Sequence, residues 1–293
     1  MLKKIQAGVL EVAYFEDGTS AGTPVVLLHG FPYDVHSYDQ VRPLLASEGC
    51  WVITPYLRGY GPTQFLSTGT PRSGQQAVLA HDLLSLLDAL GISSAVLAGY
   101  DWGGRAACIV AALWPDRVRA LVSVGGYNIQ DIPGTAAPGK PEDEYRYWYR
   151  YYFHSERGRE GLTRYRRDFC RLLWQLWSPT WKFSDEMFNQ TAASFDNPDF
   201  VDVVIHSYRH RYGMVSGDPS VEATEQCLTL QPVISVPSIT IDGRDDGVVL
   251  SEGSASHHRF FTGEYERLVI PDVGHNPPQE APRDFAEAIL SLI

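Results

Sequence analysis

The chain has 293 residues, 44% hydrophobic and 20% charged, enough apolar material for one large α/β domain or two small ones. Its formal net charge of −11 argues against nucleic acid or an anionic membrane surface as the main partner. No apolar run approaches the roughly 18 residues a membrane span needs, and the opening residues lack the continuous apolar stretch of a signal peptide. Cys50, Cys108, Cys170 and Cys227 form no C-x-x-C pair and read as reduced thiols. The expectation is a cytoplasmic, soluble protein.

In chain order, KIQAGVLEVAYFEDG alternates like an edge strand pair and closes on Asp17-Gly18. TPVVLLHGFP is a short continuous apolar run, the pattern of a strand buried on both faces of a parallel sheet. YDQVRPLLASEGC predicts a helix ending at Gly49, and WVITPYLRGYGP a second buried strand leading into a glycine-rich loop. Val78, Leu79, Leu83, Leu86, Leu87 and Leu90 lie on one helix face, with Gly91 as the stop. SSAVLAG, the helix WGGRAACIVAALWP and the strand VRALVSVGG follow. Strands alternating with helices imply a mostly parallel sheet flanked by helices.

After Tyr127 the alternation stops. Residues 128–222 read as a helical insertion after the sixth strand, leaving 1–127 and 223–293 as the core domain. Within it, Leu162, Tyr165, Phe169, Leu172, Leu173 and Leu176 have helical spacing. A second helix starts from an Asn197 cap with Pro198 at its first position and closes at Gly213. QDIPGTAAPGKPED reads as a mobile lead-in. Eight arginines fall between Arg146 and Arg171, and Arg164, Arg167 and Arg171 form a stripe expected to face solvent. Strand–helix alternation resumes with VPSITIDG, YERLVIPDVGH and APRDFAEAILSLI.

The segment LAGYDWGGRAA places Asp101 at a sharp strand-to-helix junction. Gly99 and Gly103 suit such a turn because a side chain there would collide, and Gly104 allows close helix packing. The helix N-terminus stabilises an anion in the turn, although an aspartate there could simply cap the helix. Three stretches favour the chemical reading. HGFP follows a buried strand and offers Phe31 N–H beside Trp102 N–H as a pair of oxyanion donors. His29 in the same stretch reads as a structural hydrogen-bonding residue. GRDDG puts Asp246 at a strand end, and VGHNPPQEAP puts His275 in the loop after the next strand. Asn128, Asp131, Asp242 and Asp245 remain as competing acids, with the spacing from Gly243 favouring Asp246.

HGFP, LRGYG, GYDWGGR, GRDD and VGHNPPQEAP, in this order, resemble the epoxide hydrolase and dehalogenase branch of the α/β-hydrolase family. The resemblance covers the chain outside the insertion, which occupies the family's cap position. It implies the α/β-hydrolase fold, with Asp101 as nucleophile, Asp246 as acid and His275 as base, and no cofactor or metal. Tyr56 stands where the family usually has Asp, and a packing role is the default.

An aspartate nucleophile changes the reaction. A carboxylate has an ordinary pKa of about 4 and needs no base. Its attack on an ester carbonyl would give an anhydride, whereas attack on a strained or halogen-bearing saturated carbon gives a stable alkyl ester. Water activated by His275 would then hydrolyse that ester, its oxyanion held by Phe31 N–H and Trp102 N–H. In the resembling enzymes two cap tyrosines hydrogen-bond the epoxide oxygen. YWYRYYF resembles the first motif, with Tyr149 its best match and Tyr152 second, and HSYRHR resembles the second, giving Tyr208. His206 and His210 lie roughly 160° away from Tyr208 around the helix, so they face elsewhere if Tyr208 faces the pocket. As a metal site that pair lacks a third ligand.

A halide leaving group would need N–H donors. Trp102 resembles the tryptophan of haloalkane dehalogenases, but Phe31 cannot supply their second, polar donor; Trp148 or His154 could substitute. Fluoroacetate dehalogenases hold a carboxylate with arginines one and four positions after the nucleophile; Arg105 matches the second, and Trp102 occupies the first. The expected pocket is lined by Phe31, Trp102, Arg105, Tyr152 and His154. The leading reading is a monomeric or homodimeric hydrolase of a bulky apolar epoxide. The rivals are a dehalogenase, and a non-catalytic small-molecule binding protein.

Overall fold

The computed structural model describes residues 2–293. Nine strands form one sheet: β1 (Leu2–Ala7), β2 (Leu10–Asp17), β3 (Thr23–Leu28), β4 (Cys50–Pro55), β5 (Gln64–Phe65), β6 (Ala95–Gly99), β7 (Val118–Val124), β8 (Ser238–Gly243) and β9 (Tyr265–Ile270). Their order is β1-β2-β4-β3-β6-β7-β8-β9, with β5 paired to β2. β1, β2 and β5 pair antiparallel, and the run from β4 to β9 is parallel throughout. Val25 to Leu28 and Ala95 to Gly99 are fully buried, as strands covered on both faces must be.

The helices of the sheet layers are α1 (Val41–Ser47), α2 (Gln76–Ala89) and α3 (Asp101–Leu113), followed late in the chain by α10 (Ser251–Ser254), α11 (Pro277–Glu280) and α12 (Pro282–Leu290). Between β7 and β8 run α4 (Pro141–Arg146), α5 (Trp148–His154), α6 (Glu156–Trp177), α7 (Asp185–Ala192), α8 (Phe200–His210) and α9 (Glu222–Leu228). The insertion follows the seventh strand when the two-residue β5 is counted; that short pair carries no hydrophobic pattern to read. Asn197 accepts from Asp199 N at 2.9 Å, but α8 begins at Phe200, two residues beyond the expected Pro198 start. The Asn197 amide also donates to Gly61 O and Thr63 O, so its main work is to tie the insertion to the loop after β4.

α6 departs from the expected stripe. It kinks at Tyr165, whose φ of −122° and ψ of 30° are not helical. Beyond the kink the buried face is Cys170, Leu173, Trp174 and Trp177, while Tyr165, Leu172 and Leu176 are exposed. The change of phase brings both tryptophans inward: Trp174 Nε1 donates to Pro32 O at 2.8 Å, joining insertion and core. Arg164, Arg167 and Arg171 pair with Glu160, Asp196 and Asp185 as a solvent-side stripe, where each pair contributes little stability.

Candidate active site

Asp101 stands between β6 and α3 with a positive φ of 48°, a left-handed conformation that a non-glycine residue adopts only when its surroundings hold it there. Crowding explains the glycines. A Cβ on Gly103 would lie 2.1 Å from Leu28 O, and one on Gly30 would lie 2.4 Å from Asp101 Cβ. The loop after β3 can thus approach closely enough for Phe31 N–H to donate to Asp101 Oδ1 at 2.9 Å. Trp102 N–H belongs to the first turn of α3, whose amides lack intrahelical acceptors. Asp101 Oδ2 is 4.0 Å from His275 Nε2, a gap wide enough for a reacting atom or a water beside both.

His275 Nδ1 bonds Asp246 Oδ2 at 2.8 Å, and Asp246 Oδ1 accepts from Val248 N and Val249 N at 2.8 and 2.9 Å. With both oxygens bonded, Asp246 fixes the imidazole so that Nε2, buried and without a partner, points toward Asp101. Burial pulls the His275 pKa down, but Asp246, and then Asp101, outweigh it and raise it above the usual histidine value. Of the competing acids, Asp242 pairs with Arg267 and Ser254, Asp131 accepts from Gly134 N, and the Asn128 amide donates to Ser123 Oγ and Val124 O. The spacing from Gly243 singles out the residue that reaches the histidine.

Glu280 holds the histidine loop. Its Oε2 accepts from Gly274 N at 2.7 Å, and its Oε1 from Asn276 N at 2.9 Å and from Ser178 Oγ at 2.6 Å. Ser178 Oγ in turn accepts from His275 N at 3.0 Å. Sequence reasoning missed this carboxylate, although it lies within the HNPPQE stretch. His29 fills the structural role expected of it. Its Nε2 accepts from Leu57 N at 3.0 Å and its Nδ1 meets Gly30 O, and burial lowers its pKa to about 4, keeping it neutral. Tyr56 packs beneath Gly61, where a Cβ would fall 2.4 Å from its ring.

The insertion supplies an aromatic roof. Tyr208 is 1% exposed, with ring centroids 5.5 Å from Phe31, 6.2 Å from Trp102 and 5.4 Å from Tyr149. Burial pushes the Tyr208 pKa well above its usual value, so the hydroxyl keeps its proton as a donor. Tyr149 Oη accepts from Arg150 Nε at 3.2 Å, which leaves its own proton free to be donated. Trp177, unremarked in the sequence, sets its ring 4.9 Å from that of His275. His206 and His210 stack on each other away from Tyr208, with His206 Nδ1 taking Gly74 N. No group of three or more metal-ligating side chains occurs among the described residues.

Two expected lining residues are not brought to this roof. Tyr152 stacks on Phe169 at 5.7 Å, and its hydroxyl lies 1.9 Å from where a Gly161 Cβ would stand, so it fills the α5–α6 seam. His154 sits between Tyr151 and Tyr212. Both miss the pocket because one turn of α5 can direct only one face inward, and Tyr149 and Phe153 occupy it. Trp148, the other suggested donor, packs on Phe169 and Tyr152.

A family profile for the alpha/beta hydrolase fold matches residues 23–282. The chain belongs to the α/β-hydrolase fold family. This α/β hydrolase is 47% identical to a Klebsiella pneumoniae crystal structure provisionally named an epoxide hydrolase. The match covers 99% of this chain and 96% of that one with a TM-score of 0.98. Epoxide hydrolase 3 of Siraitia grosvenorii is 40% identical over 116 residues, 40% of this hydrolase and 35% of that relative's length. An epoxide hydrolase of Caballeronia sordidicola is 37% identical over 131 residues, 41% of this chain and 38% of that protein. A Pseudomonas aeruginosa structure, also provisionally named an epoxide hydrolase, matches with a TM-score of 0.82 over 99% of this chain and 94% of its own, but at 20% identity it shares the fold alone. No helix among the described residues is long and apolar enough to cross a membrane.

Proposed function

We propose that this α/β hydrolase opens epoxides to vicinal diols through an ester on Asp101. The observation that carries the proposal is the division of labour between the two carboxylate oxygens. Oδ1 already rests on Phe31 N–H, and Oδ2 faces the space next to His275 Nε2. Oδ2 forms a bond to a ring carbon, the carbon–oxygen bond of the ring breaks, and Tyr208 with Tyr149 donates to the leaving alkoxide. A water beside both His275 Nε2 and Asp101, which lie 4.0 Å apart, then gives one proton to His275 Nε2 and adds to the Asp101 acyl carbon. Phe31 N–H and Trp102 N–H hold the resulting oxyanion. The bond from the acyl carbon to the diol oxygen breaks, and that oxygen takes the remaining proton of the added water as Asp101 returns to a carboxylate. The diol leaves, and the His275 proton replaces the one the tyrosines gave to the first alkoxide.

Removing His275 separates the two steps, because attack by Asp101 needs no base while ester hydrolysis does. His275→Ala exposed to styrene oxide should gain the mass of one whole epoxide, and a second variant with Asp101→Asn should not. Trp102 Nε1, buried without a partner, favours a second reading in which it donates to a departing halide. A gain equal to chloroacetate or fluoroacetate minus hydrogen halide would select that reading. If styrene oxide, chloroacetate and fluoroacetate all left the mass unchanged, the covalent mechanism would fall.

A further inference from the structure

The end of α6 docks on the two loops that carry Asp246 and His275. Trp177 is the last residue of that helix, and Ser178 follows as its cap with φ −127° and ψ 68°. Both are buried. Trp177 O accepts from the N–H of Gly247, the residue after Asp246, at 2.9 Å, and the Trp177 ring stands against that of His275. The approach is close enough to demand glycine on both loops. A Cβ on Gly247 would lie 2.0 Å from Leu176 O, and one on Gly274 would lie 2.5 Å from Ser178 Cα.

Three consecutive amides tie down the histidine loop. Glu280 takes the outer two, Gly274 N and Asn276 N, directly. The middle one, His275 N, reaches that carboxylate only through Ser178. It donates to Ser178 Oγ at 3.0 Å, and that hydroxyl donates to Glu280 Oε1 at 2.6 Å. A hydroxyl accepts and donates at once, and a carboxylate acceptor strengthens the bond it receives. Asp246 therefore fixes the ring of His275, while a residue of the insertion fixes the backbone from which the ring hangs. A small shift of that backbone swings Nε2 relative to Asp101. Asp101 itself takes its hydrogen bond from Phe31 N–H, outside this network.

We propose that Ser178 is a positioning residue for His275. It aims the imidazole at the ester on Asp101, so that ester hydrolysis depends on how the end of α6 is seated and ring opening does not. The kinetic consequence rests on the epoxide reading; the placement of the imidazole does not.

Rapid-quench intact mass with styrene oxide measures ester formation and ester loss separately. Ser178→Ala should slow ester loss by about 10-fold and leave ester formation within about twofold of the wild type. Ser178→Cys, a weaker donor and acceptor in a similar space, should fall between the two. A merely structural role would slow both steps alike; that result, or no change in either step, would overturn the proposal. If even His275→Ala gains no ester from styrene oxide, the epoxide reading fails and proton NMR decides the role of Ser178. The proton shared by His275 Nδ1 and Asp246 gives a downfield signal that His275→Ala removes. In Ser178→Ala this signal should shift or broaden by exchange with water. A signal identical to that of the wild type would show that the imidazole is placed without Ser178.

Discussion

The Asp101–His275 corner of the core and the face of the insertion above it are held in place by different forces. In the corner, backbone amides do most of the fixing: Phe31 N–H on Asp101, Val248 and Val249 N–H on Asp246, and Glu280 on the amides of Gly274 and Asn276. Across the roof, rings fix rings: Phe31, Phe153, Tyr149 and Trp102 surround Tyr208. Backbone donors in a crowded turn have one geometry, so the corner is rigid and intolerant of added atoms. Packed rings tolerate exchange at similar volume, so the roof can accept substitutions that the corner beneath it cannot.

The comparison breaks most sharply at Gly103. Its missing side chain lets α3 press against the end of β3, and Gly103→Ala would force a Cβ to 2.1 Å from Leu28 O. Backbone on both sides leaves nothing to move. Urea denaturation should show a loss of about 3–5 kcal/mol; a loss below about 1 kcal/mol would mean that the turn is not rigid.

Asp34 tests the seam between the two regions. It is fully buried, accepts from Ser194 Oγ of the insertion at 2.5 Å and from His36 N at 3.0 Å, and burial raises its pKa to about 6. The folded state therefore binds this proton more tightly than the unfolded chain, in which the carboxyl has its ordinary value. From this group, stability is greatest below about pH 4 and falls as the pH rises to about 6, by up to about 3 kcal/mol. Asp34→Asn removes that dependence, so its stability relative to the wild type should rise between pH 4 and 8. A difference that stays constant over that range would show that Asp34 does not titrate as its burial implies.

Tyr208 sharpens the other half of the comparison. Tyr208→Phe keeps the ring packing and removes one donor. It should lower kcat for epoxide opening by about 10–100-fold, roughly 1.4–2.7 kcal/mol, while the melting temperature changes little. An unchanged kcat would reduce the roof to packing alone.

The sequence by itself determined the parallel sheet and the Asp101–Asp246–His275 constellation, because each is encoded locally. Continuous apolar runs mark doubly covered strands, and glycines at 99, 103 and 104 are required where backbones touch. The spacing from Gly243 sufficed to choose Asp246 from its neighbours. Periodicity could not foresee the kink at Tyr165 that turned Trp174 and Trp177 inward, nor decide which face of α5 would point to the pocket. It therefore placed Tyr152 and His154 in a lining they do not join. Only the tertiary structure decided that Arg150 lies against Tyr147 and Tyr149 and that Arg211 lies over Tyr208. Charge reads as solvated or buried only once its neighbours in space are known.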